Sequence, residues 1–371
     1  MVLKKEESDQ HSFCMEPQDI PHQFFKILVG GATPHGEGPP GCGKSANMLR
    51  LAALLAKHEG RKVVVKGNPK KKNEFGYFNV RLGNNDVIDI FLPYIYGEGS
   101  NKRQGRAMMD VFPTEGPALL VLDEAGQNQD MQRIIRQVVY ERCLNNDWVA
   151  PPSLYVVLLS NRAKDRAGST KFLTNLSGVI TTVQIKPTVK GFLEENKETI
   201  REEISSLVSW FPNLLDTFDP TKDGAFSSCR SLMLMSGLLN SKPDPVDPAD
   251  NLDRCIVNGT IGLLAGTTLA SICRYGKKLP DPYAFMNEPE AYRGALEEMV
   301  TNPAMACALN MALARCVKED TEYFGPAMNL MDMISEERAV AFMSLILILN
   351  KEVKNTVEYG HFNAKYKELM F

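Results

Sequence analysis

Residues 38–45 read GPPGCGKS, a match to G-x-x-x-x-G-K-[ST], and the expected fold follows from what those residue types do together. Glycines let successive backbone N–H groups turn inward around the β- and γ-phosphates of a nucleotide, a lysine adds a point charge, and a following hydroxyl can hold Mg2+. The expected ATP cradle is therefore Gly38, Pro39, Pro40, Gly41, Cys42, Gly43, Lys44 and Ser45, with Ser45 also on the metal. Directly after it, SANMLRLAALLAKH (45–58) has helical periodicity, so the N-terminal dipole of that helix would face the same anion. Upstream the pattern is irregular. GGATPHGE (30–37), with three glycines and a proline, makes a poor buried strand, whereas FFKILV (24–29) is the better strand by composition but stands far from the loop. Either that strand feeds the loop through a glycine-rich insert, or a short strand forms near 33–37.

A nucleotide site that hydrolyses needs a metal partner and a group that aligns water. ALLVLDEAGQ (118–127) is a continuous apolar strand that stops at two adjacent carboxylates, as parallel central strands do where their C-terminal ends line a ligand crevice. Asp123 is then a partner for Mg2+, directly or through another ligand, and Glu124 the residue that polarises the attacking water. SLYVVLL (153–159) reads as the neighbouring strand, and SNRAKDRAG (160–168) as its polar exit. Asn161 would emerge at the same sheet edge, able to hydrogen-bond the γ-phosphate or the lytic water, with Arg162 and Arg166 a few residues away.

With those motifs in order, the chain resembles the AAA+ ATPases and, within them, the MoxR-like group of bacteria and tailed phages. RLGNNDVIDIFLP (81–93) resembles that group's segment between its second strand and second helix, LLVLDEAGQNQDMQRIIRQVV (119–139) its Walker B strand and following helix, and SNRAKDRAG its sensor-1 loop. AFSSCRSLMLMSGLL (225–239) resembles the lid helix whose arginine is sensor 2, which would be Arg230, and NGTIGLLAGTTLASICRYGKKLPDP (258–282) the lid continuation. The likeness runs from about 18 to about 285 and implies a P-loop AAA+ α/β fold: a central parallel sheet flanked by helices, then an all-α lid, then a C-terminal helical extension. The corresponding boundaries are an N-terminal arm 1–17, an α/β core 18–187, a lid 188–285 and the extension 286–371. The resemblance also implies Mg2+-dependent ATP hydrolysis between subunits of a ring, usually a hexamer, that remodels a protein, often with a partner bearing a von Willebrand A domain. One departure stands out. Where such proteins carry an arginine finger after sensor 1, this chain has NLSGVI (175–180). Arg166 is the preferred substitute, with Arg162 and a different surface as alternatives, or the turnover is slow.

Composition narrows the rest. At 371 residues with 44% hydrophobic residues the chain can fill two or three domain cores, and a net charge of −3 argues against coating nucleic acid through overall charge. Nucleic acid stays an alternative through local basic stretches: RKVVVKGNPKKK (61–72), a strand ending in a solvated loop or a basic face, and PYIYGEGSNKRQGRAMM (93–109), a loop between helix fragments that either packs on its own aromatics or grips a polymer. Eight cysteines without CxxC spacing suggest reduced thiols and a cytoplasmic protein, and MVLKKEESDQHSFC has no apolar run of a secretory signal. Cys255–Cys273, uncharged and with a GxxxG, imitates a membrane span, but its Asn258, threonines and serine favour a buried helix of a soluble domain. VKGFLEENKETIREEISSLVSWF (189–211) reads as one amphipathic helix, and the methionine-rich helical text after 286 as adaptable core.

Overall fold

The computed structural model describes residues 14–65, 67–84, 90–108, 111–126, 129–144, 148–162, 165, 174–276, 279 and 281–367. They form two compact units, Met1–Lys186 and Pro187–Phe371. The first contains the strands β1 (Cys14–Met15), β2 (Thr33–Glu37), β3 (Lys62–Val65), β4 (Glu74–Arg81), β5 (Phe91–Tyr96), β6 (Arg103–Met108), β7 (Ala118–Asp123), β8 (Cys143–Leu144), β9 (Trp148–Val149), β10 (Leu154–Ser160) and β11 (Ile180–Ile185). Seven of them make one sheet in the order β1-β11-β2-β10-β7-β4-β3, with every pairing parallel. β2, which runs into the phosphate loop, is thus central, and β10 separates it from the carboxylate strand β7.

Both faces of this sheet are covered, which is why β7 and β10 read as unbroken apolar runs. Leu119, Val121, Val157 and Leu159 join one cluster with Ile20, Phe24 and Leu28 of the helix Ile20–Val29 and with Met48, Leu51 and Leu55 of the helix Met48–His58. The alternate residues Leu120, Leu122, Val156 and Leu158 join the opposite cluster with Met131, Ile135, Val138 and Trp148. Each of these eight strand side chains is at most 1% exposed, and full burial of such a side chain contributes about 1.5–3 kcal/mol.

Of the two expected feeds to the loop, the structure has the short one. FFKILV is the second half of a helix, because Ile20, Phe24 and Leu28 recur every fourth residue on one buried face and Pro21 sits in the first turn, where no intrahelical donor is needed. β2 is a strand despite its composition. Pairing with β11 runs from Thr33, but pairing with β10 begins only at His35, one residue past the proline that has no N–H to give. Gly36 is required by close approach: a Cβ there would lie 2.7 Å from Ile185 Cδ1 and 3.1 Å from Phe24 Cζ. Side chains of the flanking strands and of the helix packed on β2, not the strand's own propensity, select a small residue there.

Three further sequence expectations are corrected. Within the expected loop 93–109, residues 93–108 are not a loop between helices: β5 and β6 pair antiparallel, favoured by Tyr94-Ile95-Tyr96 and closed through Gly97 and Gly99, whose φ values are 87° and 56°. The helix expected over 189–211 is two, Val189–Asn196 and Glu202–Trp210. The Asn196 amide donates to Phe192 O, and Arg201 turns extended and gives its N–H to Ser236 Oγ, so a side chain of another helix takes over the backbone bond. The single buried helix expected over 255–273 is also two, Arg254–Ile261 and Leu263–Gly276, broken at Gly262 with φ 80°; Leu263 and Leu264 are 71% and 62% exposed. No described helix is long and apolar enough to cross a membrane.

All described helices of the second unit share one apolar cluster that reaches from Phe192 to Tyr366. At its centre the helix Pro303–Glu319 is buried nearly all round, and Met299, Met305, Met328, Met331 and Met343 fill the cluster as expected of adaptable side chains.

Candidate functional site

The parallel register brings three chain segments to one edge. Ser160 aligns with Glu37, and Leu158 with both His35 and Leu122, so β2, β7 and β10 end together. Their exits are tied: Gly38 N–H donates to Ser160 O at 3.2 Å, and Ala125 N–H to Leu159 O at 2.9 Å. Beyond Gly38 the loop turns through Gly41 and Gly43, with φ 73° and 100°, into a short 3-10 turn, Ser45–Asn47, and the helix Met48–His58. Asn47, missed in the sequence, is buried and donates from Nδ2 to Gly43 O at 3.1 Å, bracing the end of the loop.

Lys44 is 7% exposed, and its Nζ donates to Gly38 O at 2.7 Å, Pro39 O at 2.8 Å and Asn161 Oδ1 at 3.1 Å. Burial lowers its pKa from the ordinary lysine value, opposed by the nearby Cys42, Asp123 and Asp165. Ser45 Oγ donates to Asp123 Oδ2 at 2.6 Å, and the other carboxylate oxygen of Asp123 accepts the Glu124 N–H at 2.9 Å. Glu124 itself has φ 60°, a left-handed backbone that costs a non-glycine residue about 1–3 kcal/mol and that clusters at functional positions. The end of the eight-residue loop, the acidic pair and one strand-end amide are therefore neighbours, although the sequence separates Lys44 from Asn161 by 117 positions.

The other expected residues are placed differently. Arg162 is held by its own turn, its Nε donating to both Asp165 oxygens at 3.1 and 2.9 Å, with Asp165 almost fully buried. Arg166 lies outside the described residues. Arg230 belongs to the second unit, exposed on the first turn of the helix Cys229–Leu239, whose N-cap Ser228 forms a reciprocal capping box with Ser231.

Sequence reasoning also missed His35. It is 1% exposed in the middle of β2 and bridges both flanking strands, Nδ1 to Thr182 Oγ1 at 3.1 Å and Nε2 to Ser160 Oγ at 2.8 Å. Burial, with a smaller contribution from the Lys44 charge, pushes its pKa down to about 3 from 6.5. A lone histidine in a Gly/Pro stretch carries no signal of this; only the strand order does. Because the folded pKa is depressed, His35 contributes stability above pH 6.5 that is lost as pH falls towards 3, at up to about 1.4 kcal/mol per pH unit. Urea unfolding should therefore show a stability loss between pH 7 and about 5 that is smaller by about 2 kcal/mol in His35→Gln. Equal losses in both proteins would contradict this placement of the proton.

The phosphate loop at a central parallel strand, and the acidic strand one place removed from it, decide the fold class. It is a P-loop α/β fold built on an all-parallel central sheet. No protein-family model matches the chain, and no curated protein matches it. Among solved structures, a putative ATPase from Cytophaga hutchinsonii is 11% identical with a TM-score of 0.33, over 94% of this chain and 84% of its own. The ORC2 protein of Aeropyrum pernix, solved as ADPNP-ADP complexes, is 11% identical with a TM-score of 0.35, over 91% and 93%. Superposition this loose adds nothing to the assignment of function.

The oxygens present suit Mg2+. Among the described residues no group of three His, Cys, Asp or Glu side chains could cage a metal, but Mg2+ is ordinarily held by one or two protein oxygens plus phosphates and water. Ser45 Oγ and Asp123, already in contact, are such a set.

Proposed function

We propose that this chain is a MoxR-like AAA+ ATPase that hydrolyses ATP at the β2/β7/β10 edge, between subunits of a ring, and uses the turnover to remodel a protein partner or assembly. One observation carries the reading: Lys44 meets Asn161 while Ser45 meets Asp123, two contacts that join all three motifs. Loop amides and the Lys44 ammonium bind the β- and γ-phosphates. Asn161 shares that ammonium, so its amide is held at the γ-phosphate end and orients the attacking water. Glu124 accepts the proton that water loses as its oxygen bonds to the γ-phosphorus and the bond to the ADP oxygen breaks. Ser45 and Asp123 would hold Mg2+, which would supply charge neutralisation on the phosphate oxygens. The same reading gives Arg230 the part of the lid arginine, and a hexamer with a von Willebrand A partner as the working assembly.

The Arg162–Asp165 pair favours a second reading, a ring that uses ATP as a slow switch, because an arginine committed to its own turn does not serve as a finger. The test is to measure phosphate release and particle mass together. The ATPase reading expects turnover that stops on EDTA addition and a mass that rises to a ring with ATP. A chain that releases phosphate equally with EDTA, or that binds no ATP, would contradict it; assembly with almost no turnover would select the switch.

A further inference from the structure

We propose that the β5–β6 hairpin is a docking platform for single-stranded nucleic acid, with Tyr94 and Tyr96 as the stacking surface. Directly opposed residues of an antiparallel pair share a face, and here Tyr96 opposes Arg103 while Tyr94 opposes Gly105. One face of the hairpin therefore carries two rings and a guanidinium, and the position across from Tyr94 has no side chain. The rings are 48% and 49% exposed, with centroids 5.8 Å apart and planes inclined by 39°, and Ile95 on the opposite face is 73% exposed. Two exposed rings side by side on one face of a two-stranded ribbon offer a flat surface for an occupant.

Charge selects the occupant. Between 93 and 108 the sequence has Lys102, Arg103 and Arg106 against the single carboxylate Glu98, in a chain that is acidic overall. Lys102 and Arg103 are exposed, and no ion pair among the described residues engages either. A base stacks on an aromatic face whatever its identity, and adjacent cations neutralise the phosphates between bases; this combination is what sequence-tolerant single-strand binding uses. The strand before the hairpin in sequence, β4, ends at Arg81, level with Asp123. The inference goes beyond the ATPase reading and does not need turnover to be tested.

The test is fluorescence anisotropy of a labelled thymidine oligonucleotide longer than the ~4–16 nucleotides that one compact site spans. The 371-residue protein should bind it at low salt, with log affinity falling by about 0.7 per phosphate contact against log salt. Tyr94→Ala with Tyr96→Ala should weaken binding by about fivefold to a hundredfold per ring, whereas the matching Phe pair should bind as the parent does. Lys102→Gln with Arg103→Gln keeps the strands and should flatten the salt dependence, a second readout if the alanine pair disturbs the hairpin. Absence of binding at low salt, binding indifferent to the alanine and glutamine pairs, or binding of labelled unfolded casein without binding of the oligonucleotide would each overturn the proposal.

Discussion

Lys44→Ala should abolish ATP binding at concentrations that saturate the parent protein. The Lys44 ammonium is buried and held at three oxygens that span the loop and β10, so its position is set before any phosphate arrives. Hydrogen bonds to a charged partner contribute about 1.5–3 kcal/mol each, and loss of one or two on the phosphates weakens binding by roughly tenfold to ten-thousandfold. Lys44→Arg should not restore affinity, because a planar guanidinium cannot replace a compact ammonium among Gly38 O, Pro39 O and Asn161 Oδ1. The loss of binding is distinct from any loss of folding: Lys44→Met keeps the stem but leaves Gly38 O, Pro39 O and Asn161 Oδ1 without their donor, so a modest drop in unfolding temperature is expected beside the loss of affinity. Calorimetric titration with ATP alongside thermal unfolding separates the two; ATP affinity retained in Lys44→Ala would remove the loop from the site.

Glu124→Gln should have the second large effect, and on the opposite parameter. ATP affinity should persist while phosphate release falls by about 10²–10⁴, the range for loss of a positioned general base. The left-handed backbone at Glu124 supplies an internal control. Glutamine inherits the same φ of 60° and should leave stability unchanged, whereas Glu124→Gly relieves the strain and should match or exceed the parent's stability, yet be equally inactive. Single-turnover phosphate release and urea unfolding on the three proteins report this. Turnover in Glu124→Gln within tenfold of the parent would assign the base elsewhere.

What could be read from the sequence, and what could not, divides along a physical line. GPPGCGKS, ALLVLDE and LYVVLLSN were legible because chemistry restricts the residue types: amides and a cation for phosphate, a doubly buried strand that must end in polar groups. Their convergence followed from parallel strands ending at one edge, and the structure brings Lys44, Ser45, Asp123 and Asn161 together there. β2 was ambiguous because its residues answer to neighbours packed against them rather than to strand propensity, Gly36 being crowded by Ile185 of β11 and Phe24 of the helix. The breaks at 197–201 and at Gly262 depend on partners from elsewhere in the unit, such as Ser236 Oγ for the Arg201 N–H, which no local pattern contains. His35 was invisible for the same reason: its two partners, Ser160 and Thr182, lie 125 and 147 positions away.

The account rests on one triphosphate meeting loop, acidic pair and strand-end amide at once, and the structure of the protein crystallised with Mg2+ and a non-hydrolysable ATP analogue tests that most directly. The expected result is a nucleotide whose β- and γ-phosphates lie against residues 38–45 and Lys44, with the metal on Ser45 beside Asp123 and the Asn161 amide facing the γ-phosphate. A nucleotide bound away from the loop, or a γ-phosphate out of reach of Asn161 and Glu124, would contradict it.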